Sequence, residues 1–272
     1  MTDAENPHGR DDHDLVLRLR ATQHYTEVFR RLARLDPRGV VEEEQGVTLI
    51  ATGVPIPLFN QTVLDRPAGD PERLAARIRA FYTRAGTPGL VVADARSAPW
   101  AAAVAAAGGF PEGDPIPGML LAPLPDPASL PPGVTVERVA TVERLRVYND
   151  TVAAGFGMPR EWLAPLDAPE MLAFPDAVFY LGLLDGVPVA TAMRCATHRV
   201  AGVYNIAVLP QARRRGIGAA LTRHAALDGA DEGCPASVLQ ASEEGFPVYQ
   251  RMGYRHVEDY RTWIVASGPT SG

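Results

Sequence analysis

The segment with the clearest chemical potential is Arg213 to Gly218, which reads Arg-Arg-Arg-Gly-Ile-Gly. It stands between a β-branched run that ends at Val208 and an apolar helical pattern that begins at Ile217. At a helix N-terminus several amides lack intrahelical partners, and the helix dipole favours anions. Glycine has no Cβ, so an anion can approach the backbone closely. The spacing therefore predicts a site for an anion such as a pyrophosphate.

The composition limits the classes of protein that the chain can represent. It has 272 residues, 46% of them apolar and 21% charged, which is typical of a globular protein with a buried core. The net charge of −6 argues against a nucleic-acid surface, which needs a basic excess. No apolar run approaches the roughly 20 residues that span a bilayer, and the polar start predicts no secretory signal. Cys195 and Cys234 fit no disulfide or metal-ligand pattern, so we expect no metal and a reducing, cytoplasmic location.

A proline-rich segment divides the chain almost in half. Five prolines lie between Pro123 and Gly133, a density that neither a helix nor a central strand tolerates. We therefore predict a semi-rigid linker at 123–133 between domains at 15–122 and 134–266. The ends, 1–14 and 266–272, are expected to form frayed tails.

The two halves carry the same order of signals. Phe59–Leu64 aligns with Tyr204–Leu209, and Gly109-Phe110 aligns with Gly253-Tyr254. The offset in residue number between the two halves is nearly the same for both pairs. Between these anchors each half has one amphipathic helix followed by a short apolar strand. We interpret the halves as two copies of one α/β domain.

The first copy lacks the glycine loop. Residues 68–73 align with it, and there Pro71 replaces Gly216 while two carboxylates, Asp70 and Glu72, lie between the aligned positions. Proline offers no amide, and carboxylates repel a phosphate. The first half is therefore expected to have lost the anion site and to serve in packing or in walling a substrate pocket.

The second half contains elements that would position the loop. Helical spacing predicts a helix at 142–154, and the apolar runs 177–184 and 187–193 are joined by Asp185-Gly186, a hairpin signal. A strand at 203–208, the loop helix from Ile217 and a strand at 236–240 follow. This order predicts an α+β fold of two modules, each a mixed, mostly antiparallel central sheet flanked by helices.

This order, with Arg-x-x-Gly-x-Gly after the fourth strand and Tyr-x-x-x-Gly-Tyr near the end, resembles the GNAT superfamily of N-acetyltransferases. The similarity covers roughly residues 134–265 and rests on two separate motifs, at 208–218 and 248–254. The whole chain is similar to a tandem GNAT protein with one working module. The resemblance implies acetyl-CoA as co-substrate, and it implies direct attack by a small-molecule amine in a ternary complex.

The resemblance also assigns roles to single residues. It implies that loop amides bind the pyrophosphate and that the pantetheine arm pairs with the preceding strand. The implied cofactor-binding residues are Ile206, Ala207, Val208, Arg213, Arg214, Arg215, Gly216, Ile217, Gly218, Ala219 and Ser242. Tyr249 matches the family's general acid, since a phenol with a pKa of about 10 is protonated at neutral pH. The aligned position of the first half, Val104 or Ala105, has no hydroxyl.

The base that removes the amine proton is unassigned. Many members of the family carry a carboxylate on the fourth strand, where this chain has Asn205, which cannot act as a base. Glu243, Glu244 and Glu161 are loop-borne or nearby alternatives, and none is preferred. Asn205, Trp162 and Glu243 are predicted to contact the acceptor.

Simpler interpretations stay open at these positions. The arginines 213–215 could form a solvated turn, Tyr249 could be a packed aromatic, and histidines 198, 224 and 256 show no ligand spacing. No Gly-Lys-Ser/Thr follows the loop, which argues against a nucleotide P-loop. The rival to a transferase is a CoA-binding sensor or structural module, and the sequence does not separate acetyl-CoA from other acyl-CoA donors. We expect no nucleic-acid or membrane partner, and a monomer or homodimer.

Overall fold

The computed structural model describes residues 7–67 and 69–268, and the side chains of residues 7–14 are outside this description. The helices are α1 (Pro7–Ala33), α2 (Pro71–Ala85), α3 (Ala98–Gly108), α4 (Val142–Phe156), α5 (Ile217–Asp231) and α6 (Phe246–Arg251). The strands are β1 (Val40–Glu44), β2 (Val47–Ala51), β3 (Gln61–Leu64), β4 (Gly89–Ala93), β5 (Glu112–Leu121), β6 (Val134–Arg138), β7 (Ala177–Leu184), β8 (Val187–Thr197), β9 (Val200–Val208), β10 (Ser237–Gln240) and β11 (Arg255–Val265). Short 3-10 helices cover Pro57–Phe59, Arg160–Asp167, Pro169–Ala173 and Pro210–Ala212.

The strands that the structure describes form one continuous sheet in the order β1-β2-β3-β4-β11-β5-β10-β9-β8-β7-β6. Two pairs in it, β3/β4 and β9/β10, are parallel. The other neighbours run antiparallel. The predicted fold class, a mixed and mostly antiparallel sheet flanked by helices, is confirmed.

Each half contributes one βαβ unit to this sheet. In the first half β3 leads through α2 to the parallel strand β4, and in the second β9 leads through α5 to β10. Apolar residues at helical spacing drive both helices onto the sheet: Leu74, Ile78 and Phe81 are buried on α2, and Ile217 and Leu221 are buried on α5. The equivalent units are the structural counterpart of the repeat in the sequence.

The last strands of the two halves are exchanged. The C-terminal strand β11 lies between β4 and β5, whereas β5, the last strand of the first half, pairs with β10 of the second half. Backbone hydrogen bonds therefore run without interruption from one half to the other. This exchange brings residues of β5 and β11 to the edge of the second βαβ unit, which decides the composition of the site described below.

The ends of the chain differ from the expectation of frayed tails. Residues 7–14 begin the long helix α1, and Ala266 to Gly268 follow β11 without regular structure. The remaining residues of both expected tails, 1–6 and 269–272, lie outside the described part of the chain. In the aligned segment 59–64 the strand covers Gln61–Leu64, because Phe59 ends a 3-10 turn.

Helix α1 covers the seam between the halves through a buried histidine. The Nδ1 atom of His24 lies 2.5 Å from Oγ1 of Thr197 on β8. Its ring stacks on Tyr204 of β9, and Gly202 makes room for it, since a Cβ there would stand 1.9 Å from Nε2. Burial lowers the pKa of His24 from its usual value to about 3. Nearby His198 and Arg31 lower this pKa further, whereas Thr197 and Glu27 oppose the shift.

Because His24 is buried in its neutral form, we expect the folded protein to lose stability in mild acid. In the unfolded chain it takes up a proton as the pH falls through about 6.5, whereas in the folded chain it does so only near pH 3. The stability associated with the neutral histidine is therefore fully present only well above pH 6.5. The free energy of unfolding falls by about 2 kcal/mol between pH 7.5 and 5. We expect urea unfolding to show this fall, and the His24→Gln variant to show a flatter dependence. His256→Gln, at an exposed position, serves as the control, and equal slopes in His24→Gln and the parent would contradict the assignment.

Candidate active site

The predicted anion loop connects the end of β9 to the start of α5. After the 3-10 turn at 210–212, the backbone takes left-handed conformations at Arg214 (φ 61°) and Gly216 (φ 76°). Gly216 is the N-cap of α5, and no side chain caps this end. The first helical bond runs from the amide of Ala220 to the carbonyl of Gly216, so the amides of residues 217–219 have no helix carbonyl to bind. These amides and the helix dipole suit an anion.

Close packing against β9 holds the loop in place. A Cβ at Gly218 would stand 3.3 Å from Cγ2 of Val208. The side chain of Arg213 turns back, so that Nε donates to the carbonyl of Val208 (3.1 Å) and a terminal nitrogen donates to that of Gly155 (2.9 Å). Arg213 therefore braces the loop, whereas the side chains of Arg214 and Arg215 are exposed.

A buried arginine ties α5 to the sheet. Arg194 of β8 is 1% exposed, and its guanidinium donates to Asp228 near the end of α5 and to Glu232, the C-cap residue, at 2.6–2.9 Å. The Tyr180 hydroxyl donates to Asp228 as well. Because a buried charge left without a partner is costly, Arg194 holds the end of the helix that carries the loop against the sheet.

Strands β9 and β10 separate shortly after they pair. Their ladder is confined to Ala201 with Ser237 and Gly202 with Val238, so the edge of β9 that faces β10 is left unpaired beyond Gly202. On its other edge β9 bonds to β8 with a bulge, and there Asn205 has a φ of 51°. The Thr191 hydroxyl donates to the carbonyl of Asn205 at 2.7 Å and stabilises the bulge. Free strand amides next to a bulge can pair with an extended ligand arm.

The separated strands open into a groove of about 810 Å³. Five residues predicted from the sequence line it: Asn205, Ile206, Ser242, Glu243 and Tyr249. The first half also lines it, through Tyr25 and Phe29 of α1, Leu58, and Asp114 to Pro117 of β5. The strand exchange thus makes the first half a wall of the groove.

Tyr249 lies on α6 at the side of this groove. Burial raises the pKa of its hydroxyl to about 12, against a smaller lowering by a hydrogen bond with Thr222 of α5. Its ring meets that of Tyr254 edge to face, with centroids 5.9 Å apart. Gly245 lets the ring lie close, since a Cβ there would stand 2.9 Å from Cε2 of Tyr249. The phenol is therefore held rigidly and stays protonated at neutral pH.

Three titratable residues of the groove escaped the sequence analysis. Asp114 comes from β5, while His256 and Asp259 come from β11, where Nε2 of His256 lies 2.8 Å from Oδ1 of Asp259. Of the earlier base candidates only Glu243 lines the groove; Glu244 and Glu161 are exposed elsewhere. No local pattern marks the three, because the strand exchange assembles them.

Other predicted contact residues are placed differently. Trp162 lies on the 3-10 helix at 160–167 with 40% of its surface exposed and does not line the groove. Ala207 and Ile217 are buried, so only their backbone groups can reach a ligand. Gly216 and Ala219 line a second cavity of about 530 Å³ between α5 and residues 127–131 of the proline-rich segment.

Two searches confined to the described residues bear on cofactors and membranes. No group of three or more His, Cys, Asp or Glu side chains is arranged to hold a metal ion. None of the described helices is long and apolar enough to cross a bilayer.

Comparison with known proteins identifies a domain in the second half. Residues 175–256 match the family model described as "Acetyltransferase (GNAT) domain". No curated protein sequence matches the chain. The matched segment runs from β7 into β11 and contains the loop, the separated strands and Tyr249.

Solved structures share the fold over most of the chain. A GCN5-related N-acetyltransferase from Kribbella flavida aligns with a TM-score of 0.67 at 21% identity, covering 91% of this chain and 96% of that one. A conserved protein of unknown function from Staphylococcus epidermidis aligns at 0.61 and 12% identity, with coverages of 84% and 94%. A tandem GNAT protein from the clavulanic acid biosynthesis pathway aligns at 0.54 and 16% identity, with coverages of 87% and 86%. Residues 175–256 therefore match the GNAT acetyltransferase domain model, and most of the chain shares the fold of these solved structures.

Proposed function

We propose that this protein transfers an acetyl group from acetyl-CoA to the amine of a small molecule, with both substrates bound together. The observation that carries the proposal is the continuity of three features in the second half. The unpaired edge of β9 with its bulge at Asn205 and the protonated phenol of Tyr249 line the groove, and the uncapped N-terminus of α5 follows the end of the same strand. An extended thioester arm, a leaving thiolate and a phosphate group need these three partners in that order.

The proposed reaction needs little covalent chemistry from the protein. The amine nitrogen attacks the thioester carbonyl, a C–N bond forms, the C–S bond breaks, and the electron pair leaves on sulfur. Tyr249 gives its proton to this thiolate, while amides of the strand edge near Asn205 polarise the carbonyl. Holding both reactants in the groove supplies much of the rate enhancement.

The proton lost by the amine needs an acceptor in the groove. Asp114, Glu243 and the hydrogen-bonded pair of His256 and Asp259 face it, each from a different element. Water in the groove can relay the proton to them, which replaces the carboxylate that Asn205 does not supply. We propose that these groups together, and no strand carboxylate, accept the proton.

We also propose one acetyl-CoA site per chain. The first-half helix α2 begins at Pro71, and the carboxylate of its N-cap, Asp70, accepts a hydrogen bond from the Arg73 amide at 2.9 Å. A carboxylate thus occupies the position where an anion would bind, and it repels a second negative charge. The first half is then a degenerate module that forms one wall of the groove. We propose domains at 15–122 and 134–266, with a linker at 123–133.

The cellular setting of the proposal follows from the same residues. Both cysteines are buried and unpaired, which suits a reducing cytoplasm. The exchanged strands bury within one chain the surface that separate modules would bury on pairing, so the chain can work as a monomer, and a homodimer is the alternative.

The test combines binding with turnover. We expect calorimetry to give one CoA site per chain, and we expect thiol release from acetyl-CoA to saturate with a small amine. The chain contains no lysine, so acetylation of its own lysine side chains cannot contribute to that release. Binding of CoA with no turnover on any amine would favour the rival sensor or structural module. Faster release from propionyl- or succinyl-CoA would assign another acyl donor.

A further inference from the structure

A separate apolar pocket lies beside the groove. It has a volume of about 100 Å³ and is walled mainly by aliphatic and aromatic side chains from α1, α4, three 3-10 helices and strands β7 to β9. The lining residues that matter below are Phe29, Leu58, Tyr148, Leu166, Tyr204 and Asn205. An engineered cavity of about 150 Å³ with similar walls binds benzene, so this pocket suits a somewhat smaller apolar group.

The pocket meets the groove at the strand bulge. Phe29, Leu58, Tyr204 and Asn205 line both cavities. In the proposed function the bulge at Asn205 is where the thioester carbonyl lies. A molecule whose amine stands at the bulge can therefore place its remaining atoms in the pocket.

Tyr148 and Tyr204 line the pocket with their rings, and both hydroxyl oxygens are buried. Burial raises the pKa of both phenols, and for Tyr148 a hydrogen bond with the Asn205 side chain opposes the shift. Because neither oxygen has exposed surface, the two tyrosines offer a ligand their aromatic carbon atoms, and the pocket recognises its occupant through apolar contacts.

The charges around both cavities favour a cation. Asp114, Glu243 and Asp259 line the groove, and none of the described residues that line either cavity is an arginine or a lysine. An acceptor with a carboxylate or phosphate would find no cation to pair with there and would be repelled.

Apart from Tyr204 and Asn205 of β9, the pocket takes its walls from elements to which no part of CoA is assigned. None of its lining residues belongs to α5, β10 or α6, which carry the anion loop, one wall of the groove and Tyr249. A long acyl chain on CoA is the rival occupant. The small share of CoA-binding elements in the walls and the carboxylates beside the pocket favour an amine acceptor.

We infer that the acceptor is a primary amine with no anionic group and with a compact, branched aliphatic group of about four carbons beyond the carbon that bears the nitrogen. The aliphatic part fills the apolar pocket, and the amine stands at the bulge. This inference rests on the proposed function and narrows its substrate class.

Three matched amines test the inference. 3-Methylbutylamine has the inferred shape, leucine adds a carboxylate to it, and ethanolamine replaces the apolar group by a hydroxyl. We expect kcat/KM with acetyl-CoA to be at least tenfold higher for 3-methylbutylamine than for either of the others, since each methylene in an apolar pocket is worth about tenfold or more. Equal or faster turnover of leucine or ethanolamine overturns the inference and leaves the proposed function standing.

The result can be separated from a failure of the proposed function. If the chain binds CoA and acetylates no amine, the transferase proposal fails. The inference about the pocket is then tested by binding alone, with 3-methylbutylamine titrated into the CoA complex by calorimetry. Saturable binding of this amine, without saturable binding of leucine, supports the inference. The absence of saturable binding of 3-methylbutylamine overturns it.

Two leucines of one 3-10 helix give a matched pair of variants. Leu166 lines the pocket, whereas Leu163 is equally embedded in the neighbouring core and does not line it. We expect Leu166→Ala to shift preference toward bulkier amines such as 2-phenylethylamine by at least tenfold, and Leu163→Ala to keep the parental preference. If Leu166→Ala instead broadens the range of acyl-CoA chain lengths, the pocket holds the acyl group and the inference is wrong.

Discussion

Replacing Gly218 with valine is expected to weaken CoA binding at least 100-fold, which corresponds to about 3 kcal/mol. A Cβ at this position would stand 3.3 Å from Cγ2 of Val208 and 3.7 Å from Cγ2 of Ile206, and valine adds two methyl groups to this tight contact. We expect the start of α5 to shift away from β9, and the amides of residues 217–219 to shift with it. Several charge-assisted hydrogen bonds to a pyrophosphate are lost together, each worth about 1.5–3 kcal/mol. Isothermal titration calorimetry with CoA measures the effect.

Comparing the affinities for CoA and for pantetheine tests whether the loss of binding in Gly218→Val arises at the phosphate groups. Pantetheine keeps the arm that we propose to pair with β9, and it lacks the pyrophosphate. We expect the parent to prefer CoA strongly over pantetheine, with a preference that falls as salt rises. In Gly218→Val the preference should largely disappear, while affinity for pantetheine changes little. A variant that keeps its preference for CoA would place the pyrophosphate elsewhere.

A milder variant and its control separate loop geometry from general strain. Gly216 needs a left-handed backbone (φ 76°), so alanine there introduces strain of about 1–2 kcal/mol into the loop itself. Gly86 caps α2 with nearly the same conformation (φ 66°) and has open space around it, far along the chain from the loop. We expect both alanine variants to lose similar stability in urea, and only Gly216→Ala to lose CoA affinity, by about tenfold. Equal affinities would show that loop conformation is unimportant for binding.

Local patterns were sufficient to predict the elements that carry the anion loop. Helices α2, α4 and α5 present apolar residues at helical spacing, and glycine at 216 and 218 marks the loop between strand and helix. These features depend on residues close in sequence, which is where periodicity and turn chemistry are informative.

Helix α1 shows a signal that was present and missed. Leu17, Ala21, Tyr25, Phe29 and Ala33 recur every four residues and are buried. Buried His24 and several arginines stand among the apolar residues of this segment, so the helical periodicity of its hydrophobic residues is weak. The consequence is large, because α1 supplies walls to both the groove and the apolar pocket.

The exchange of β5 and β11 could not be predicted from the sequence. Strand pairing between distant segments depends on the whole set of competing partners, and neither strand carries a pattern that excludes its own half. Asp114, His256 and Asp259 reach the groove only through this exchange. The titratable groups of the site were therefore the part that local reasoning could not locate.

Replacing Tyr249 with phenylalanine is expected to lower kcat by about 10²–10³ with an unchanged dissociation constant for CoA. The phenol touches the groove and its pKa is raised to about 12 by burial, so it is protonated throughout the neutral range and can give a proton to sulfur. Because an acid with a raised pKa works at every pH below that value, its contribution should persist up to about pH 10. A falling limb of the pH–rate profile near pH 8 must then belong to another group.

The neighbouring tyrosine supplies a matched control. Tyr254 packs against Tyr249 edge to face, and its hydroxyl is buried in a 2.7 Å hydrogen bond with Ser237. Tyr254→Phe should lower the free energy of unfolding by about 1 kcal/mol and leave kcat nearly unchanged. A loss of kcat in Tyr254→Phe as large as in Tyr249→Phe would indicate a packing effect and not proton transfer.

The leaving group gives the sharper test of proton transfer. An aryl thioester expels a thiolate that is stable without a proton, so general acid catalysis contributes little to its departure. With such a donor we expect Tyr249→Phe to approach the rate of the parent, whereas with acetyl-CoA the full loss remains. If the variant is equally impaired with both donors, Tyr249 acts by positioning the thioester, and the acid must be sought among the other groups of the groove.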